Sequence, residues 1–119
     1  FTALKLPASA LALAGFSQGG MMGLHCGLRH AAPPAAIVSF SGALLRHDDL
    51  AAGMNYPPVL LVHGTNDQVV PFALQSASYD VMQSRSIIVE TVACEGLDHG
   101  IDSYGLSAAI AFLAKYLPA

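Results

Sequence analysis

The stretch that decides the fold is ALALAGFSQGGMMGLHCGLR, residues 10–29. Residues 10–16 form a continuous apolar run, which predicts a buried β-strand, and Gln18–Arg29 has the length and composition of a helix. The two are joined through Ser17, which is the serine of a Gly-x-Ser-x-Gly pattern at residues 15–19. This pattern is typical of a sharp strand-to-helix turn that projects a serine hydroxyl from the end of a sheet. Its two glycines are expected to let neighbouring backbones approach closely.

Strands and helices alternate through the rest of the chain. Further apolar runs predict strands, longer segments predict helices, and a polar, glycine-broken segment predicts a loop. The strands are 35–40, 59–63 and 87–92, the helices are 72–84 and 103–116, and the loop is 44–56. Because the apolar runs do not alternate with polar residues, we expect strands covered on both faces, as in a parallel sheet. The prediction is an α/β fold in one domain, residues 1–119, with an open parallel sheet of about four strands and flanking helices.

The composition of this 119-residue chain excludes several classes of protein. Charged residues make up 11 % and hydrophobic residues 54 %, which argues against disorder. A net charge of −3 with five scattered Lys and Arg predicts no nucleic-acid binding. The apolar run at 10–16 is too short to span a membrane. The first sixteen residues resemble a signal peptide, but Pro7 and Ser9 interrupt them, so the default location is the cytoplasm. Cys26 and Cys94 match neither a zinc motif nor a disulfide framework.

Every candidate for chemistry lies at the carboxyl end of a predicted strand, where open α/β sheets place their sites. Ser17 follows the first strand, Asp67 lies in the turn-rich loop after the third, and His99 lies beyond the fourth. A serine hydroxyl is a weak nucleophile until a base takes its proton, and the base needs an orienting carboxylate. We therefore predict Ser17 as nucleophile, His99 as base and Asp67 as acid. The first amide groups of the helix that starts at Gln18, at its positive end, would stabilise an oxyanion.

The other histidines suit the role of base less well. His25 lies inside the first predicted helix, His30 follows its end, and His47 lies in the polar loop. His63 ends the third strand and leads directly to the acid, so we interpret it as a strand-end residue. Asp98 is a sequence neighbour of the predicted base, and such neighbours usually point apart.

Four motifs in combination resemble the phospholipase/carboxylesterase family of α/β-hydrolases, which includes the acyl-protein thioesterases. They are GFSQGGMM at 15–22, SGALL at 41–45, HGTNDQVVP at 63–71 and GLDHGI at 96–101. The resemblance implies a serine esterase for small carboxylic esters, lysophospholipids or thioesters that needs no metal or cofactor. By matching motifs, Ser17, Asp67 and His99 carry over as nucleophile, acid and base, and the Gln18 amide as one oxyanion donor. Segments that flank the acyl pocket in the family are matched by Leu44, Leu45, Val69 and Val70.

The chain differs from the family in its length. Family members are nearly twice as long and carry further strands and a His-Gly loop ahead of the serine, whereas about fourteen residues precede Gly15 here and begin with a predicted helix tail at 2–6. The resemblance therefore implies a carboxyl-terminal half or a shortened form that lacks the usual amino-terminal strands. The strand at 10–16 would then lie at an exposed sheet edge, and we expect a homo-oligomer through that edge. The alternative is a half-domain whose triad is not assembled and which serves as a fragment or scaffold.

Overall fold

The computed structural model describes residues 12–29, 33–45, 49–51 and 54–117. Strands and helices alternate through these residues as the sequence predicts. In chain order the elements are β1 (Ala12–Phe16), α1 (Gln18–Arg29), β2 (Ala36–Phe40), β3 (Val59–Gly64), α2 (Ala73–Ser84), β4 (Val89–Cys94) and α3 (Ser103–Tyr116). The predicted bounds of α1 and α3 are confirmed. The helix tail predicted at 2–6, the start of the first strand, and His30 and His47 lie outside the described residues.

The four described strands form one parallel sheet in the order β1-β2-β3-β4, which confirms the predicted fold class. In the register, Phe16 lies beside Phe40, and Val62 lies between Phe40 and Val92. α1 packs on β1 and β2, α2 packs on β3 and β4, and α3 contacts β2, β3 and β4. Since all strands are parallel, their carboxyl ends share one edge of the sheet, where Ser17 also lies.

The core consists of two apolar layers, one on each face of the sheet. Because side chains alternate along a strand, Ile37 faces the helices α1 and α2 while Val38 and Phe40 face α3. Each fully buried aliphatic side chain contributes about 1.5–3 kcal/mol. The first layer contains Leu24, Leu28, Ile37, Leu44, Leu50, Val59, Leu61, Met82, Ile87 and Val89, and the second contains Ala36, Val38, Phe40, Leu60, Val62, Cys94, Ala109 and Phe112.

The expectation that all strands are covered on both faces is correct only for β2 and β3, whose residues are all buried. β1 exposes Ala14 and Phe16, and β4 exposes Glu90, Thr91 and Ala93. The reason is their position, because among the described residues each of these two strands has a strand neighbour on one side alone.

β4 begins and ends two residues later than the sequence predicts. The β-branched run starts at Ile87, but Ser86 has φ +62° and Ile87 donates its amide to the Met82 carbonyl at 3.0 Å. Ile87 is therefore buried as part of the turn that closes α2, and the strand itself starts at Val89. This shift moves the end of β4 to Cys94, close to the predicted base.

Candidate active site

Ser17 lies in the turn between β1 and α1 with φ +57°, the left-handed region that non-glycine residues seldom adopt. Its amide donates to the Phe40 carbonyl at 2.8 Å, which prolongs the pairing of β1 with β2. Its carbonyl accepts from the Met21 amide at 3.0 Å, which opens α1. The first amide of the helix, that of Gln18, has no intrahelical partner and lies next to the serine. The sharp turn that the motif predicts is therefore present.

Close backbone approach at this turn depends on Gly15 and Gly20. A Cβ on Gly15 would collide with the Gly19 carbonyl and the Gly20 amide, and a Cβ on Gly20 would lie 2.5 Å from Ser39 Oγ. A Cβ on Gly19 would meet none of the described atoms within 4 Å. The expectation for the motif glycines is correct at Gly15 and wrong at Gly19, because Gly19 lies on the exposed side of the first turn of α1.

Asp67 lies in the loop after β3, residues 65–70, which we call the acid loop. Its side chain is completely buried. Oδ1 accepts from the Val69 amide at 2.9 Å and the Val70 amide at 2.8 Å, and Oδ2 accepts from His99 Nδ1 at 2.7 Å. Burial alone would raise the pKa of Asp67, but the hydrogen bonds from His99, Val70 and Val69 outweigh it and hold this pKa below its ordinary value. Asp67 is therefore an ionised acceptor near neutral pH.

His99 lies in the loop after β4, residues 95–100, which we call the base loop. Its Nδ1 is 2.7 Å from Asp67 Oδ2 and its Nε2 is 2.9 Å from Ser17 Oγ. Because an ionised carboxylate can only accept, Nδ1 carries the proton and the lone pair of Nε2 faces the serine hydroxyl. The ring packs against Phe16, with centroids 4.8 Å apart. The structure thus brings Ser17, His99 and Asp67 into one continuous hydrogen-bonded chain.

The acid loop and the base loop are joined directly to each other. The Asn66 amide donates to the Leu97 carbonyl at 2.9 Å, and the Gly96 amide donates to Thr65 Oγ1 at 2.8 Å. The base loop also passes so close to Gly64 that a Cβ there would collide with carbonyls of the base loop. The spacing of Asp67 and His99 is therefore fixed by their loops as well as by their own hydrogen bond.

Sequence reasoning missed two buried polar residues beside this chain of contacts. His63 lies one residue before the end of β3, which the sequence predicts to end at His63 itself. Its Nε2 also lies 2.8 Å from the Val70 carbonyl and 3.3 Å from Asp67 Oδ2. Ser41 has φ +56° and donates its Oγ to the Gly100 carbonyl at 3.3 Å. The four-residue spacing of His63 and Asp67 is the one sequence signal that could have pointed to the first contact.

A cavity of about 280 Å³ lies beside α1. Leu44 and Leu45, two of the predicted pocket residues, line it. The full lining is Met21, Met22, His25, Ala43, Leu44 and Leu45, so the walls are mostly apolar. Because the Met21 amide is bonded to the Ser17 carbonyl, the cavity begins about one helical turn from the serine.

Val69 and Val70, the other two predicted pocket residues, belong to the acid loop and do not line this cavity. The Val69 side chain is exposed, whereas Val70 is buried. The backbone amides of both residues bind Asp67. Their observed contribution to the site is therefore made by the backbone.

The described part of the chain has no group of three or more His, Cys, Asp and Glu side chains placed to hold a metal ion. Cys26 is exposed, Cys94 is buried, and both are free. Burial and a hydrogen bond to Asp102 raise the pKa of the Cys94 thiol to about 11. The same residues include no helix that is both long and apolar enough to cross a membrane.

The parallel sheet with helices on both faces, and a serine at the end of β1, define an α/β-hydrolase-like fold. The profile of the phospholipase/carboxylesterase family matches residues 2–117, and the chain belongs to this family. The resemblance carried by the four sequence motifs is thereby confirmed.

Similar proteins are esterases and thioesterases of about twice this length. Acyl-protein thioesterase 1 of Neurospora crassa is 31 % identical over 95 % of this chain and 49 % of its own length. Acyl-protein thioesterase 1 homolog 1 of Dictyostelium discoideum is 30 % identical over 96 % of this chain and 52 % of its own. The crystal structure of esterase PE8 has a TM-score of 0.90 and 37 % identity, covering 98 % of this chain and 54 % of that one. Arabidopsis thaliana SOBER1 has a TM-score of 0.82 at 21 % identity, over 98 % and 58 %, and supports the fold alone.

Proposed function

We propose that this chain carries the catalytic centre of a serine hydrolase that cleaves carboxylic oxyesters or thioesters through an acyl-enzyme. The observation that carries the proposal is the position of His99, whose two ring nitrogens lie 2.9 Å from Ser17 Oγ and 2.7 Å from Asp67 Oδ2. Serine hydrolases activate a hydroxyl through this relay of contacts. Family membership gives independent support for hydrolysis of esters.

In the first step, Ser17 Oγ attacks the carbonyl carbon of the substrate while His99 Nε2 takes the hydroxyl proton. The negative charge on the carbonyl oxygen is stabilised by the Gln18 amide at the start of α1. Asp67 keeps Nδ1 protonated and stabilises the imidazolium that forms. When the intermediate collapses, the bond to the leaving oxygen or sulfur breaks, and His99 returns the proton to that atom.

In the second step, water attacks the acyl group that is now bound to Ser17 Oγ. His99 Nε2 takes a proton from this water, the acyl–oxygen bond breaks, and the proton returns to Ser17. The products are a carboxylic acid and the regenerated serine. No metal or cofactor enters either step as proposed.

We propose the apolar cavity beside α1 as the acyl site, with Leu44 and Leu45 in its wall. Val69 and Val70 of the acid loop would form a second flank outside the cavity. Four of the residues lining the cavity are Met and Leu, which suits a hydrocarbon chain. The similar proteins named acyl-protein thioesterases support thioesters as one substrate class. The chain spans about half the length of these relatives, so their activity is carried over as a proposal.

The alternative is a half-domain in which the three residues do not act together. The two short contacts of His99 argue against it, because they align three side chains from three strand ends, which an unassembled site does not require. The hydrolase proposal predicts a reactive Ser17, and the half-domain alternative predicts an unreactive one.

The test is intact-mass analysis of the purified chain after exposure to a fluorophosphonate, which phosphonylates activated serines without needing the natural substrate. We expect a single adduct in the wild type and in Ser107→Ala, an exposed serine on α3 that serves as the matched control. We expect no adduct in Ser17→Ala. A folded wild type without an adduct would contradict the proposal and support the alternative.

We also propose that the chain self-associates along β1. Among the described residues β1 pairs with β2 alone, and its Ala14 is exposed. Lysine on a strand edge opposes pairing with another strand. Sedimentation velocity should give an oligomer that Ala14→Lys dissociates and that Ala93→Lys, on an exposed position of β4, leaves intact. A monodisperse wild-type monomer at micromolar concentration contradicts this proposal.

A further inference from the structure

His63 is a buried polar residue beside the carboxylate of the proposed acid. Its exposed fraction is 2 %, and its Nε2 lies 2.8 Å from the Val70 carbonyl and 3.3 Å from Asp67 Oδ2. Because a carbonyl can only accept, Nε2 carries the ring proton. The N–H of His63 therefore donates to the backbone of the acid loop, and the same nitrogen lies beside the carboxylate of that loop.

We propose that His63 is a positioning residue that fixes the Asp67 carboxylate in the orientation that holds His99. The catalytic meaning of this role rests on the proposed serine hydrolase function. The contacts of the carboxylate carry the argument. Oδ1 accepts from two backbone amides of the acid loop, and Oδ2 accepts from His99 and lies 3.3 Å from His63 Nε2. With donors on both oxygens, the carboxylate cannot rotate about its Cβ–Cγ bond without losing hydrogen bonds.

The ring of His63 is itself held in place. It meets the ring of Phe72 edge to face, with centroids 5.8 Å apart. Its backbone belongs to β3, the strand buried along its whole length. The acid loop, in contrast, consists of turns after that strand. His63 therefore connects a rigid strand to the Val70 carbonyl and to Asp67. This connection restrains the acid loop against the sheet.

A comparison with Gln75 distinguishes a positioning role from the ordinary hydrogen bonding of a buried polar side chain. Gln75 is equally buried, and its Nε2 donates to the carbonyls of Leu61 and Val92 at 3.0 Å each. Those acceptors are backbone groups within the sheet. Loss of either donor removes hydrogen bonds to carbonyls and lowers stability. Loss of the His63 donor alone also frees the part of the acid loop that lies next to the carboxylate holding His99.

Four variants test this difference. His63→Leu removes the donor at similar volume, His63→Gln keeps an N–H near the position of Nε2, and His63→Asn places its amide too far from the acid. Gln75→Leu is the matched control for a lost buried donor. The first readout is the second-order rate of fluorophosphonate labelling, corrected for the folded fraction from circular dichroism.

We expect His63→Leu and His63→Asn to label about 10- to 100-fold more slowly, the range that a small misplacement of a catalytic group costs. His63→Gln should recover most of the rate, and Gln75→Leu should keep it. If the Leu variant does not fold, the Asn and Gln pair decides. Equal rates in the Asn and Gln variants, or an equal loss in Gln75→Leu, would overturn the proposal.

The second readout does not depend on reactivity. In a Ser17→Ala background, proton NMR follows the hydrogen-bonded Nδ1 proton of His99. This signal should shift in His63→Leu and His63→Asn, return toward its wild-type position in His63→Gln, and stay unchanged in Gln75→Leu. An unchanged signal in both donor-free variants overturns the role of His63. Absence of labelling in the wild type counts against the hydrolase proposal alone, because this signal tests the positioning separately.

Discussion

The two halves of the candidate site are built differently. Asp67 and His99 lie on loops that are bonded to each other, and the side chain of Asp67 is completely buried. Ser17 follows β1, an outer strand of the described sheet, and its amide is held by one bond to Phe40. The acid and base thus form a unit on β3 and β4, whereas the serine is attached to it through β2. The contact between Ser17 and His99 is therefore the one that aligns the serine with the acid and the base.

The end of β2 joins the two halves. The Phe40 carbonyl accepts the Ser17 amide at 2.8 Å, and the hydroxyl of the next residue, Ser41, reaches the Gly100 carbonyl at 3.3 Å. Two consecutive residues therefore contact the serine turn on one side and the base loop on the other. We call these two residues, Phe40 and Ser41, the joint. Substitutions within the acid–base unit should lower the reactivity of Ser17 or the stability of the fold more than substitutions at the joint.

The largest expected effect comes from Asp67→Asn, which leaves the shape of the unit but removes its charge. The amide favours the wrong tautomer of His99, and loss of the orienting carboxylate in such sites costs about 10⁴ in rate. The second-order rate of fluorophosphonate labelling measures this loss, with circular dichroism as the control for folding. A decrease of less than about tenfold would mean that the acid does not act on the base.

Next in size is the contrast between glycines on the two halves. Gly64→Ala on the acid–base side and Gly15→Ala on the serine side each force a Cβ into backbone atoms. Such overpacking costs about 1–3 kcal/mol or more. Urea unfolding should show both losses and almost no change in Gly19→Ala, whose Cβ has open space among the described atoms. A Gly19 variant as unstable as the Gly15 variant would contradict this account of the turn.

A smaller, pH-dependent effect follows from the lowered pKa of Asp67. Because its folded pKa is below the ordinary value of 3.8, the carboxylate contributes stability that is fully present above that value and is lost as the pH falls through the folded pKa. The free energy of unfolding of the wild type, minus that of Asp67→Asn, should therefore decrease on acidification. A difference that stays constant through this range would mean that Asp67 has an ordinary pKa in the folded state.

The smallest expected effect is at the joint. Ser41→Ala removes a single neutral hydrogen bond to the base loop, worth about 1 kcal/mol. We expect a loss of stability of that order in urea unfolding and a labelling rate within about tenfold of the wild type. A Ser41 variant that labels as slowly as Asp67→Asn would place the joint inside the acid–base unit.

The sequence was sufficient for the parts of the molecule that depend on local pattern. The Gly-x-Ser-x-Gly motif predicts the turn at Ser17, and strand-end logic predicts that Asp67 and His99 lie near it, because parallel strands end at a common edge. The same reasoning interprets His63 only as the end of a strand. Its contact with Asp67 depends on how the acid loop folds back over β3, and such a tertiary contact leaves little trace in local periodicity.

The start of β4 and the role of Gly20 were unpredictable for a related reason. Apolar periodicity marks Ile87 as strand-like, yet the closing turn of α2 buries it, so a tertiary contact overrides β-propensity. The motif directs attention to Gly19, but the glycine that meets Ser39 is its neighbour Gly20. Which glycine faces the sheet depends on the rotation of α1, and that rotation is set by packing.

The hydrogen bonds between the acid loop and the base loop couple their local unfolding. An opening motion of either loop breaks the Asn66–Leu97 and Gly96–Thr65 bonds together, so both amides become accessible in the same event. The amide protons of Asn66 and Gly96 should therefore show one protection factor, which is the exchange rate corrected for the intrinsic rate of each residue. Because the same motion separates the loops that carry Asp67 and His99, the contact between acid and base is lost in that event as well.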